Sequence, residues 1–403
     1  MEKRDISVLA DLKSGKMSKQ VIICLVILLS FIPILSPSGV SVNFIFLFLL
    51  FLCPIYRLNV LPFYVTGMVL TVILSYGLNL ALHISETPYL ERQFLSFGAF
   101  LSFLFILIAR IPIKIELIYR MLLTVSTVYS LVVLYHIFTK ANFNLTDFRY
   151  IKSGLREYVT HWPQRFPTIM MAAFFFALVS SRKNKAYLMP LLLISICLFF
   201  TFTRAIYLSL IVGIMYLFFF SLLRLKLQIK KKSVFIFVIS ICSITWLVYF
   251  LQSAQLDAFK VLFSVVAEGF ISVINFFDGN VTAQRFGGSD NIRVYHWRKT
   301  IEIWSVRPLL GTGFSGIYQF TSMGSVHNQY LDVLLQTGII GFLLYLYLWF
   351  VAFKFSFYRP EIFSGLLAIF FYGLFHETTK LSYVGLLLML ICSKAFEDRI
   401  SKK

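Results

Sequence analysis

The sequence predicts an all-α integral membrane protein of about twelve transmembrane helices, and three observations carry that reading. Of its 403 residues, 59% are apolar and 14% are charged, with 45 phenylalanines; soluble proteins average about 25% charged residues. Apolar runs of helix length recur along the whole chain. The basic residues sort to one side of those runs, which is how membrane proteins distribute Lys and Arg between their loops.

A spanning helix needs about 20 mostly apolar residues. The chain opens with Lys3, Arg4, Lys13, Lys16 and Lys19 ahead of an apolar run at 20–36 that contains Pro33 and lacks a small-x-small cleavage site. That run is expected to stay as the first membrane helix and not to act as a cleaved signal peptide. Further spans are expected at 41–56, 60–83, 93–110 and 115–138, then at 166–181, 186–203, 205–223 and 233–252, and finally at 329–353, 361–377 and 381–395. The runs at 41–56, 166–181 and 381–395 are short, and 186–203 meets 205–223 with almost no linker, so one of that pair is expected to be broken or tilted.

Net charge is +19, from 37 Lys and Arg against 18 Asp and Glu. With the N-terminus placed in the cytoplasm, 23 of those 37 fall inside, including Arg182-Lys183-Asn184-Lys185, Lys230 to Lys232, and Lys402-Lys403. This sorting removes the reason to invoke nucleic acid as a partner. An even number of helices then leaves both termini cytoplasmic. The two long segments, 139–165 and 253–328, fall on the opposite side. The expected organisation is 1–252 as helices one to nine with an outer loop at 139–165, 253–328 as a large outer loop with short amphipathic helices such as 292–304, and 329–403 as helices ten to twelve, all one membrane domain. Cys24, Cys53, Cys197, Cys242 and Cys392 lie in or beside apolar runs without metal-ligand spacing, so no disulfide framework is expected.

Polar groups at a membrane face are expensive and mark candidate sites. His327-Asn328 stands where the loop 253–328 gives way to an apolar run. A histidine there can accept a proton from a hydroxyl near neutral pH, while Asn328 suits a helix cap. Arg204, in TFTRAIYLSL, is an isolated charge between two apolar runs; it suits a phosphate partner, or snorkels to lipid headgroups. Arg285, Arg293, Arg298, Lys299 and Arg307 form a basic group able to grip a diphosphate or a solvated helix face. Arg156, Arg165 and His161 are interleaved with aromatics in the shorter outer loop, as in a sugar site or an interfacial aromatic belt. His376-Glu377, at the expected outer end of helix eleven, can contact substrate or simply end the helix. The first outer loop, 37–40, reads PSGV and offers no carboxylate for a divalent cation, and the Walker A, HExxH and G-x-S-x-G patterns are absent. No metal and no cofactor are expected.

His327-Asn328, nine residues, Gly338, two residues, Gly341 resembles the H-(N/S/Q)-x9-G-x-x-(G/T/Y) signature of the O-antigen ligase and O-antigen polymerase superfamily. Thr201-Phe202-Thr203-Arg204 resembles that family's (T/S)-x-(S/T)-R element. RVYHWRKTIEIWSVRPLLGTG, from Arg293 to Gly313, resembles its R…W…P-L-L-G-x-G segment. The resemblance implies a GT-C-type glycosyltransferase in a bacterial inner membrane that moves a glycan from undecaprenyl diphosphate, with inversion and without metal, at the periplasmic face. It implies His327 as the base that activates the acceptor hydroxyl, and Arg204 with Arg293 or Arg285 as the grip on the diphosphate. Asn328, Arg298, Arg165, Arg156, His376 and Glu377 are further candidate substrate contacts. One feature departs from some polymerases: none of Arg149, Arg156, Arg293 and Arg298 starts an R-x10-G element.

The family divides by acceptor: another lipid-linked repeat unit for a polymerase, lipid A-core for a ligase, a protein for a third branch. The polymerase is the favoured reading because the HNQYLDVLLQTGIIG run is similar to polymerases of surface-polysaccharide clusters. A chain-length regulator is then a possible partner. From other classes, a lipid-linked oligosaccharide flippase fits twelve helices but normally carries midplane charges or inverted repeats, and a structural membrane protein leaves the arginine placement unexplained.

Overall fold

The computed structural model describes residues 16–32, 114–139, 159, 166–201, 203–224, 289–313, 326–376 and 382–400. The spans expected at 41–56, 60–83, 93–110 and 233–252 lie outside these residues, as does nearly all of the loop 139–165. So do Arg156, Arg165, Arg285 and Glu377 among the candidate site residues. Among the described residues the structure is helical and contains no strand. In chain order the α-helices are α1 (Lys16–Phe31), α2 (Ile115–Thr139), α3 (Pro167–Ser180), α4 (Leu188–Phe199), α5 (Arg204–Arg224), α6 (Ser289–Val306), α7 (Gln329–Ser356), α8 (Pro360–Tyr372) and α9 (Ser382–Ile400). Of these, α2 and α7 are long and apolar enough to cross a membrane. At 1.5 Å per residue, the 25 residues of α2 run to about 38 Å; α7 is interrupted at Gly338, and its uninterrupted part, 339–356, runs to about 27 Å.

The chain forms two compact units. One contains Tyr129–Tyr295 and Arg359–Tyr372, and its centre is α3. That helix is apolar around its whole circumference and is buried from Pro167 through Ala173 and again from Phe175 to Ala177. An all-round apolar helix needs neighbours on every side, and α3 packs against α4, α5 and α8. The contact with α8 is close because Gly365 faces Ala172, where an added Cβ would come within 2.8 Å of the Ala172 Cα. On α5, Gly213 receives the ring of Phe175. Tyr216 of α5 stacks on Phe363 of α8, with centroids 4.2 Å apart.

Proline opens both α3 and α8; its missing N–H costs nothing in a first turn and its fixed φ already suits the helix. The basic turn Arg182–Lys185 is exposed, and the Asn184 carboxamide oxygen accepts from the Ala186 N–H to start a 3-10 turn leading into α4.

The other unit contains Met1–Val128, His296–Tyr358 and Gly373–Lys403. Here α9 packs against α7 and α1. The α9 residues from Val384 to Cys392 are all buried. The Cys392 thiol donates to the Leu348 carbonyl at 3.3 Å, and Trp349 of α7 is almost fully enclosed.

Three elements differ from the sequence expectation. The run 186–203 yields an α-helix of 12 residues, Leu188–Phe199, about 18 Å long and so shorter than the roughly 30 Å hydrocarbon layer. Its end is fixed by hydroxyls that compete for backbone groups: Thr201 Oγ1 donates to the Leu198 carbonyl and Thr203 Oγ1 to that of Thr201. Instead of reaching 377, α8 stops at Tyr372, and the next carbonyl, that of Gly373, is engaged by the Gln329 N–H at 2.7 Å. Conversely, α9 continues past 395 to Ile400 through the polar sequence SKAFEDRI, where Lys394 and Glu397 form an i,i+3 ion pair at 2.7 Å.

Candidate active site

The turn into α7 positions His327 and Asn328. Asn328 has extended backbone angles, and its carboxamide oxygen accepts from the N–H groups of Tyr330 (2.9 Å) and Leu331 (3.1 Å). These are donors that a helix start otherwise leaves without partners. Asn328 therefore acts as the helix cap, and its side chain is buried. His327, one residue earlier, has φ +55, the left-handed region that side chains with a Cβ seldom occupy.

Two more histidines approach His327. His296 of α6 lies with its ring nearly parallel to that of His327, at 6.1 Å between centroids and 9° between planes. His376, four residues past the end of α8, stands perpendicular to it at 6.1 Å. Next to His296, Trp297 donates its indole N–H to the Val326 carbonyl at 3.1 Å. Consecutive residues of α6 thus touch consecutive residues of the turn, and Trp297, Ile303, Trp304 and Leu331 pack around the buried Val326 and Leu335.

Further along, α7 breaks at Gly338, which has φ 64 and ψ −171. In an unbroken helix the N–H groups of Ile339 and Ile340 would bond the carbonyls of Leu335 and Gln336. Here the segment Pro308–Gly313 supplies the missing partners on both sides. Ile339 N–H donates to the Pro308 carbonyl at 2.8 Å, and Ile340 N–H to that of Leu309 at 3.5 Å. The Thr312 N–H donates to the freed Leu335 carbonyl at 2.7 Å, and the Gly313 N–H to that of Gln336 at 2.9 Å. Irregular backbone at membrane depth is tolerated where it is buried in protein with its polar groups paired.

The approach leaves no room for side chains. A Cβ on Gly338 would lie 2.1 Å from the Leu309 oxygen, and one on Gly311 (φ +71) would lie 2.5 Å from the Gly338 nitrogen. The P-L-L-G-x-G segment and the first glycine after His327 are therefore two halves of one backbone junction.

Residues 189–346 match the family model described as O-antigen ligase. That match spans 158 of the 403 residues and supports a relationship to the O-antigen polymerase and ligase superfamily. No curated protein matches the sequence. The matched residues include the TFTR element, α6, the glycine junction and His327.

Within the matched segment, Arg204 is the first residue of α5 and belongs to the unit built around α3. The two flanking threonines, Thr201 and Thr203, are buried, and the Thr203 carbonyl accepts from the Ile206 and Tyr207 N–H groups to begin the helix. Tyr207 donates its hydroxyl to the Phe199 carbonyl. Arg293 lies one turn before His296 on α6, and Arg298 is half-buried two residues after it. Lys299 pairs with Glu302 at 2.8 Å on the exposed side of α6. Among the described residues, no three His, Cys, Asp or Glu side chains are grouped to hold a metal ion.

Two residues escaped the sequence reading. His296 sits in the basic stretch RVYHWRK, and nothing in its spacing signals that it meets a residue 31 positions later. Asp332, in the first turn of α7, is buried and accepts from Gln336 Nε2 at 2.8 Å. Its i,i+4 spacing to Gln336 just inside an apolar run was the available signal.

Proposed function

We propose that the chain is a surface-polysaccharide (O-antigen) polymerase that transfers an undecaprenyl-diphosphate-linked glycan to a sugar hydroxyl of another lipid-linked repeat unit. The observation that carries the proposal is His327: it is the signature histidine inside the matched O-antigen ligase segment, fixed ahead of a capped helix with two other imidazoles around it. In the proposed reaction the acceptor oxygen attacks the anomeric carbon of the donor sugar. The bond from that carbon to the diphosphate oxygen breaks, with inversion, and the diphosphate leaves with the electron pair. His327 takes the proton of the acceptor hydroxyl as the new bond forms. Charge grows on the departing diphosphate, and guanidinium groups neutralise it; by carry-over from the resemblance these belong to Arg204 and to Arg293 or Arg285.

The proposal extends to a bacterial inner membrane, about twelve spans with both termini cytoplasmic, a GT-C-type arrangement and a periplasmic site. The domain boundaries in this reading are 1–252, 253–328 and 329–403. The ligase is the second reading, since the matched family model bears that description.

Lipopolysaccharide from a host deleted for its own copy tests the proposal. A polymerase deletion leaves core bearing one repeat unit, and the intact gene restores the ladder. Loss of all O-antigen from the core, with lipid-linked polymer accumulating, assigns a ligase. An unchanged ladder removes both.

A further inference from the structure

His296 has no role in the chemistry above, yet its ring stacks beside that of the residue that does, at 6.1 Å between centroids. It is a buried polar side chain on α6, with its ring face parallel to that of His327. The Thr300 hydroxyl donates to its backbone carbonyl at 2.7 Å, fixing the turn of α6 that carries it. Its neighbour Trp297 holds the carbonyl of Val326, the residue before His327. A left-handed backbone at a non-glycine residue costs on the order of 1–3 kcal/mol and persists only where its surroundings impose it. At His327 those surroundings are a two-point clip: ring against ring at 296 and 327, indole N–H to carbonyl at 297 and 326. His376 bounds the same imidazole from the perpendicular side.

We propose that His296 is a positioning residue for the proposed base. Together with Trp297 it sets the backbone and the ring plane of His327, so that one imidazole nitrogen is presented to the acceptor hydroxyl. The inference rests on the role given to His327 above. Because the clip acts through the flat face of the ring, a planar apolar ring at 296 can replace imidazole, whereas a polar chain of similar length cannot.

The test uses the purified full chain, with the lipid-linked glycan fraction extracted from cells lacking the chain as donor and acceptor. Initial rates are measured against its concentration and normalised to monodisperse protein. Misplacing a catalytic group by about 1 Å can cost roughly 100-fold in rate. His296→Ala is expected to lower kcat by about that factor while KM and melting temperature stay near wild type. His296→Phe is expected to keep most of the turnover, and His296→Gln to behave like His296→Ala.

Should His296→Ala fail to fold, the contrast between His296→Phe and His296→Gln decides. Trp297→Phe, which removes only the donor to Val326, is expected to lower kcat at unchanged KM. Wild-type kcat in His296→Ala overturns the proposal, and so does retention by His296→Gln with loss in His296→Phe. His327→Ala in the same assay separates the two readings: if it is inactive while His296→Ala is normal, only the positioning role fails. If His327→Ala is itself fully active, the proposed function of His327 fails.

Discussion

Gly311 and Gly338 meet backbone to backbone, both at positive φ, with a Cβ on either one falling within 2.5 Å of the other's segment. Around this contact four main-chain groups orphaned by the break in α7 find partners in residues 308–313. The spacing from His327 to Gly338 thus fixes how far into α7 the break lies, and the break is where the chain leading out of α6 is anchored.

Substitution at this junction should be costly. Gly338→Ala meets both a forbidden backbone region and a carbonyl oxygen. The backbone conformation alone costs about 1–3 kcal/mol, and the clash adds to that. Melting of the detergent-solubilised chain should show a large drop, or loss of monodisperse protein. Gly341→Ala is expected to be costly as well: its Cβ would run into both the Oγ1 and the Cβ of Thr337, and rotation about χ1 does not move a Cβ, so the backbone there has to shift.

The cap makes a separate prediction. Asn328→Ala removes the acceptor for two N–H groups and should cost about 1 kcal/mol of stability, with Asn328→Asp close to wild type because aspartate caps equally well. Thermal melts of the three proteins check it. An equal loss in Asn328→Asp would mean that the other half of the carboxamide matters as well.

Between α3 and α8, Gly365→Ala is expected to destabilise by about 1–3 kcal/mol through overpacking. The nearest atom is the Ala172 Cα at 2.8 Å, with its Cβ at 3.3 Å. Trimming Ala172 to glycine removes only the farther of the two, so the double substitution should recover little of the loss. Full rescue in the melting curve would show that the side chain, and not the backbone, sets the approach.

How much of this was legible in the sequence varies with the kind of force involved. Apolar run length located α2 and α7 to within a few residues, because burial in an apolar layer is a local property of composition. It overestimated α4, where threonine hydroxyls end the helix inside an apolar run, and underestimated α9, where an ion pair carries helix into polar sequence. At the site, the His327, Gly338 and Gly341 pattern was readable as a signature, and the capping alternative for Asn328 was readable from its residue type. What Gly338 is for was not, because its reason lies in a segment some thirty residues earlier. His296 was invisible for the same cause: only the packing of α6 against the turn brings its ring to His327.

The measurement that most directly tests the central claim is glycan transfer by purified His327→Ala beside wild type, with the extracted lipid-linked glycan fraction and matched amounts of monodisperse protein. General-base contributions are typically about 10²- to 10⁴-fold, so turnover should fall by at least about 100-fold while the melting temperature stays near that of wild type. Wild-type turnover by the alanine variant would contradict the assignment of His327 as the base.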